Sequence, residues 1–149
     1  MKRLIFFTSL FLCACTASLA QLREIPQAVK DAFSAQYAGA DSPEYVDKVV
    51  TVQVHFEQDG HKKTATYNNK GMWRETEQEW AFEQLSDEVK DGFSKSKYSG
   101  DEWEVVETKI VTRPGNKELF RVKVQKNEVQ KKYLFFNAKG RLENESLTL

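Results

Sequence analysis

The side chains that could do chemistry in this 149-residue chain are few. His55 and His61 flank Asp59-Gly60. If that pair makes a tight hairpin, the two imidazoles could approach across it, with Glu57 or Asp59 completing a mixed nitrogen–oxygen metal site. Paired histidines without a further ligand motif rarely bind metal, so the expected reading is two exposed strand residues and no metal. Carboxylates alternate at Glu75, Glu77 and Glu79 and again at Glu143 and Glu145. Such pairs can carry acid–base catalysis, but at strand spacing they are expected to be solvated charges that keep a sheet edge from aggregating. There is no Gly-x-Ser-x-Gly, no His-Glu-x-x-His and no phosphate-cradling glycine loop. The chain is therefore read as a non-enzyme without a cofactor.

The aromatic residues carry more information. Trp73, Trp80, Trp103, Tyr67, Tyr133 and Phe135 fall on or beside segments of strand character. Strand aromatics usually pack in a core, but a subset on an uncovered sheet face would act as rigid anchors for a protein partner. Trp73, Trp103, Tyr133 and Phe135 are the partner-binding candidates. In Gln130 to Phe136, Tyr133 and Phe135 share one face and Leu134 and Phe136 the other. Both faces are apolar, which predicts that one is buried only by a partner.

The elements that position these residues can be read from periodicity. Ile25, Val29, Phe33 and Tyr37 recur every four residues, and Pro26 suits a first helical position, which predicts a helix from Pro26 to Tyr37. Ser86 is a natural N-cap, with Asp87 and Glu88 in the first turn, which predicts a second helix from Ser86 to Tyr98. After the first helix, Val50, Val52, Val54 and Phe56 alternate with polar residues. Asp59-Gly60 and Asn68-Asn69-Lys70-Gly71 then separate strands at 61–67 and 72–77, and a weaker strand is expected near 44–47. After the second helix, strands are expected at 103–112, 119–125, 130–136 and 141–148. The first two are joined by Arg113-Pro114-Gly115-Asn116 and the last two by Asn137-Ala138-Lys139-Gly140.

These elements form two copies of one pattern. Val29-Lys30-Asp31-Ala32-Phe33-Ser34 matches Val89-Lys90-Asp91-Gly92-Phe93-Ser94, and Tyr67-Asn68-Asn69-Lys70-Gly71 matches Phe136-Asn137-Ala138-Lys139-Gly140. The expected fold is α+β: two tandem repeats, 21–80 and 81–149, each a helix followed by a four-stranded antiparallel meander. A lone repeat buries little, so the two are expected to form one structural unit, both helices on one face of the sheet and the other face open.

The chain begins with Lys2 and Arg3, an apolar run from Leu4 to Leu12, and Ser18-Leu19-Ala20. This is the pattern of a signal peptide, residues 1–20, cleaved after Ala20. Leu12-Cys13-Ala14-Cys15 also resembles a lipobox, which would make Cys15 a lipid anchor on the outer membrane. Against it stand the unusual Cys13 and the near absence of a tether before Leu22. Both cysteines of the chain lie in this segment, so cleavage after Ala20 would leave no disulfide and no thiolate. Removing Lys2 and Arg3 leaves 20 basic against 22 acidic residues, with no basic stripe for nucleic acid. The run is too short for a transmembrane helix. A periplasmic or secreted protein is expected.

The order and duplication of Val-Lys-x-x-Phe and Asn-x-Lys-Gly over nearly all the mature chain resembles the PepSY-like family of β-lactamase-inhibitor-like exported bacterial proteins. The resemblance implies a fold like that of the β-lactamase inhibitor protein, in which a sheet grips a protein target, although the cysteines that staple that inhibitor are missing here. The function expected is binding of an unidentified protein partner, with inhibition or regulation of an envelope or secreted enzyme. The alternative is a periplasmic carrier of a small ligand or ion. A contiguous exposed aromatic patch would favour the first, and a closed pocket with converging polar groups the second.

Overall fold

The computed structural model describes residues 23–147. The expected signal peptide and cleavage after Ala20, with Cys13 and Cys15, fall outside the described residues. The elements follow in the order α1 (Gln27–Gln36), β1 (Asp41–Asp47), β2 (Thr51–Gln58), β3 (His61–Asn68), β4 (Trp73–Glu79), a 3₁₀ turn (Phe82–Gln84), α2 (Asp87–Ser94), β5 (Glu104–Arg113), β6 (Lys117–Gln125), β7 (Lys131–Phe136) and β8 (Leu142–Leu147). All eight strands pair antiparallel with their sequence neighbours in one open sheet, and β4 joins β5 through the pairs Thr76–Thr112 to Glu79–Lys109.

Register decides which residues share a face. Val52, Val54 and Phe56 on β2 lie opposite Tyr67, Ala65 and Lys63 on β3, and all of these but Lys63 pack with Val29 and Phe33 of α1. On the same face, Ile110 of β5 pairs with Phe120 and Phe120 with Phe136. There Val122, Val124, Leu134 and Phe136 pack with Val89 of α2. Both helices therefore cover one face. At about 1.5–3 kcal/mol for each buried aliphatic or aromatic side chain, these two clusters are the main source of stability.

Local chemistry sets the ends of the elements. The Ser86 hydroxyl accepts from the Val89 N–H at 3.4 Å and caps α2. The helix ends at Ser94 and not at Tyr98, because serines take over its terminal backbone groups. Ser99 Oγ donates to the carbonyls of Ser94 (2.7 Å) and Ser96 (3.0 Å), and Ser96 Oγ accepts from the Tyr98 N–H. The two Asn-x-Lys-Gly turns are built alike. Asn68 Oδ1 accepts from the N–H groups of Lys70 and Met72, and Asn137 Oδ1 from those of Lys139 and Arg141. Each turn closes with a glycine N–H donating to the asparagine carbonyl.

Candidate binding face

The helix-free face is built from the other half of each strand's alternation. Glu75 and Glu77 come from β4, Glu107, Lys109, Val111 and Arg113 from β5, Leu119, Arg121 and Lys123 from β6, and Tyr133 and Phe135 from β7. Val111, Leu119 and Phe135 form a small apolar cluster there, with Tyr133 packed against it. Tyr133 and Phe135 thus stand side by side, on the opposite side of β7 from Leu134 and Phe136.

Arg121 organises this face. Its guanidinium grips Glu77 with both Nη atoms and reaches Glu107 Oε1 at 3.0 Å. Lys109 Nζ lies 3.2 Å from Glu77 and 3.6 Å from Glu107, so two cations and two carboxylates neutralise one another. The Arg121 guanidinium also sits 4.5 Å from the centroid of the Tyr133 ring, with Lys123 Nζ at 5.5 Å. Only 9% of Arg121 is exposed, and its buried Nε has no hydrogen-bond partner among the described residues. A second pair repeats the arrangement, with Arg113 donating to Glu75 at 2.9 Å and lying 5.5 Å from the Phe135 ring. Such stacks contribute about 0.5–1 kcal/mol each when exposed, and more as water is excluded.

Two expectations change here. Phe135 is 9% exposed, and the chain itself covers it, through Val111, Leu119 and the Arg113 guanidinium. Glu75 and Glu77 are not solvated edge charges, because β4 is interior to the sheet and both carboxylates are ion-paired. Glu143 and Glu145 do lie on an edge strand. There the Tyr98 hydroxyl, with help from Lys132 and Lys97, holds the Glu145 carboxyl below the ordinary carboxylate range.

The four aromatic candidates divide evenly between the faces. Trp73 is on the helix-bearing face, paired with Tyr67 and donating through Nε1 to Thr76 Oγ1 at 2.9 Å. Trp103 packs edge-on against Tyr98 at 5.1 Å beside the α2 core. Only Tyr133 and Phe135 meet on the open face. The histidines cannot combine either. His55 shares its face with Thr64 and contacts it at 2.9 Å, whereas His61 pairs with Gln58 on the other face and stacks at 5.4 Å on Trp80. Among the described residues no group of three or more histidine, cysteine or acidic side chains gathers as a metal site. Sequence reasoning missed Arg121 and Arg113. The signal was the alternation of Arg121 and Lys123 with Val122 and Val124, which marks a charged face opposite a core face.

No protein-family model and no curated protein matches the chain. Solved structures do share the fold. A BLIP-like protein from Bacteroides fragilis is 25% identical, with a TM-score of 0.73 over 86% of this chain and 89% of that one. A DUF2874 family protein from Bacteroides ovatus is 22% identical, with a TM-score of 0.73 over 84% and 89% of the two chains. A candidate periplasmic protein from Bacteroides eggerthii is 18% identical, with a TM-score of 0.71 over 84% and 90%. The fold is BLIP-like: an open, eight-stranded antiparallel sheet with two helices. No described helix is long and apolar enough to cross a membrane.

Proposed function

We propose that this is an exported, non-catalytic binding protein that holds a protein partner against the helix-free face of its sheet, with Tyr133 as the central anchor. The observation that carries the reading is the Tyr133 ring braced by Arg121 and Lys123, at the margin of the Val111–Leu119–Phe135 cluster. An aromatic anchor held in place by neighbouring cations and ringed by ion pairs has the composition of an interface centre. The likeness to a BLIP-like structure supports the reading, and the likeness to a candidate periplasmic protein supports export to the periplasm or beyond. Export would use the signal ending at Ala20, with lipidation at Cys15 as the rival route. We read residues 21–80 and 81–149 as two copies of one module acting as a single unit. The matching turns at Asn68 and Asn137 support this.

The test is affinity capture from an envelope extract with three immobilised forms: wild type, Tyr133→Ala, and Ser34→Glu on the exposed side of α1. A protein retained by wild type and Ser34→Glu but released by Tyr133→Ala, with the variant's Tm preserved, supports the reading. Retention by Tyr133→Ala together with loss by Ser34→Glu moves the interface to the helix face and overturns it.

A further inference from the structure

The helix-bearing face carries a polar cleft that the protein-binding reading does not use. Val29 and Phe33 pack α1 over β2 and β3, and Val89 packs α2 over β6 and β7. Between them, beside Ile110, β4 and β5 present the polar residues Thr76, Gln78 and Thr112. The cleft above them has a volume of about 310 Å³, at the lower end of the range of about 300–1,000 Å³ for small-molecule sites.

Two aromatic rings line it in fixed orientations. Trp73 Nε1 donates to Thr76 Oγ1 at 2.9 Å, and the Tyr37 hydroxyl lies 2.5 Å from the same oxygen. Gln36 Nε2 lies 3.3 Å from the Tyr37 hydroxyl, while Gln36 Oε1 accepts from Tyr67 at 2.9 Å. The Tyr37 ring is held against Phe56 at 4.7 Å. The lining is completed by Gln78, Thr112 and Asn116, which carry amide and hydroxyl groups. Among the described residues these three side chains have no hydrogen-bond partner. Lys63, the charged residue of the lining, is paired with Asp59 at 3.7 Å.

We propose that this cleft binds a neutral sugar ring. A sugar hydroxyl both donates and accepts, which matches planar amides and hydroxyls that do the same. The C–H face of the ring matches an aromatic surface, and Trp73 and Tyr37 are already immobilised, so little side-chain freedom is lost on binding. A phosphate or carboxylate ligand would need an uncommitted cation, and the cleft offers none. The lining draws on α1 and β4 from the first half and on β5 and the β5–β6 turn from the second, so the site exists only where the halves are joined.

The test is NMR titration of the ¹⁵N-labelled protein with glucose, galactose, mannose and N-acetylglucosamine, following the Trp73 indole and the Gln78 and Asn116 side-chain amide signals. Saturable shifts of these signals with at least one sugar are expected, with a Kd tighter than about 10 mM. Gln78→Ala and Asn116→Gly should weaken binding by about tenfold or more while keeping Tm, and Tyr133→Ala should leave it unchanged. Glycine is used at position 116 because Asn116 has φ 55° and glycine tolerates it. The proposal is overturned if these signals fail to saturate with all four sugars, if both cleft variants bind as wild type, or if glucuronate binds more tightly than the neutral sugars. Since Tyr133 lies on the other face, failure here is separable from failure of the protein-binding reading.

Discussion

Gly92 of α2 and Gly140 of the β7–β8 turn meet backbone to backbone: a Cβ on Gly92 would run into the Gly140 carbonyl, and one on Gly140 into the carbonyl of Glu88. The β3–β4 turn approaches α1 in the same way, with Gly71 against the Ala28 carbonyl. Each hairpin tip is thereby docked beneath the helix of its own half. Gly71 and Gly140 also have φ of 78° and 71°, where L side chains are strained.

Gly140→Ala should therefore cost more than strain alone. Gly115, at φ 81°, has open space around it. Gly115→Ala is expected to cost about 1–2 kcal/mol, and Gly140→Ala about 2–3 kcal/mol beyond that from the clash. Urea unfolding of both variants measures the difference. Equal losses would mean that the hairpin does not dock on α2.

Neighbouring residues on β7 should behave oppositely. Leu134 is fully buried against α2, so Leu134→Ala should lower stability by about 2–5 kcal/mol. Tyr133→Ala should cost about 1 kcal/mol of stability, mainly from its stack with Arg121, and about 2 kcal/mol or more of partner affinity. Thermal unfolding and affinity measured on both variants decide whether the two sides of this strand have separate roles.

The Arg121 cluster should show strong coupling. Glu77→Gln leaves the buried guanidinium with Glu107 alone and is expected to destabilise by about 1–3 kcal/mol. Arg121→Met strands Glu77 with Lys109. Made together, the two substitutions should cost less than the sum of the singles by about 1 kcal/mol or more. Additive losses in a double-mutant cycle would mean that the pair is solvated and independent.

Glu145 predicts a pH dependence. Its carboxyl is held below the ordinary range, first by the Tyr98 hydroxyl and then by Lys132 and Lys97. A depressed folded pKa contributes stability that is complete above the unfolded carboxylate pKa and is lost as pH falls through the folded value. Tyr98→Phe should raise the Glu145 pKa toward the ordinary value and reduce that acid-side dependence, without changing its sign. NMR titration of the Glu145 side chain, with denaturant unfolding at neutral and acidic pH, checks both parts. An unchanged Glu145 pKa in the variant would show that the hydroxyl is not the cause.

The sequence by itself determined the local elements and their order. The four-residue stripe of Val29 and Phe33 requires a helix with one buried side, and Val52, Val54 and Phe56 require a strand with one buried side. The Asn-x-Lys-Gly segments require a turn with a left-handed glycine, because these are interactions among near neighbours. Tertiary structure decided which face each aromatic side chain joins. Strict alternation would place Trp73 beside Glu75 and Glu77 on the open face. The register shift between Thr66 and Tyr67 leaves Arg74 without a partner and turns Trp73 to the helix side, since one extra residue reverses a strand's facing. The same period of two separates His55 from His61 once Gln58 pairs with His61. Arg121 holds Glu77, far away in the sequence, and Arg113 covers Phe135 only because β4 to β7 lie side by side. Such partners become neighbours through strand pairing across the sheet, and no local pattern in the chain encodes their distance.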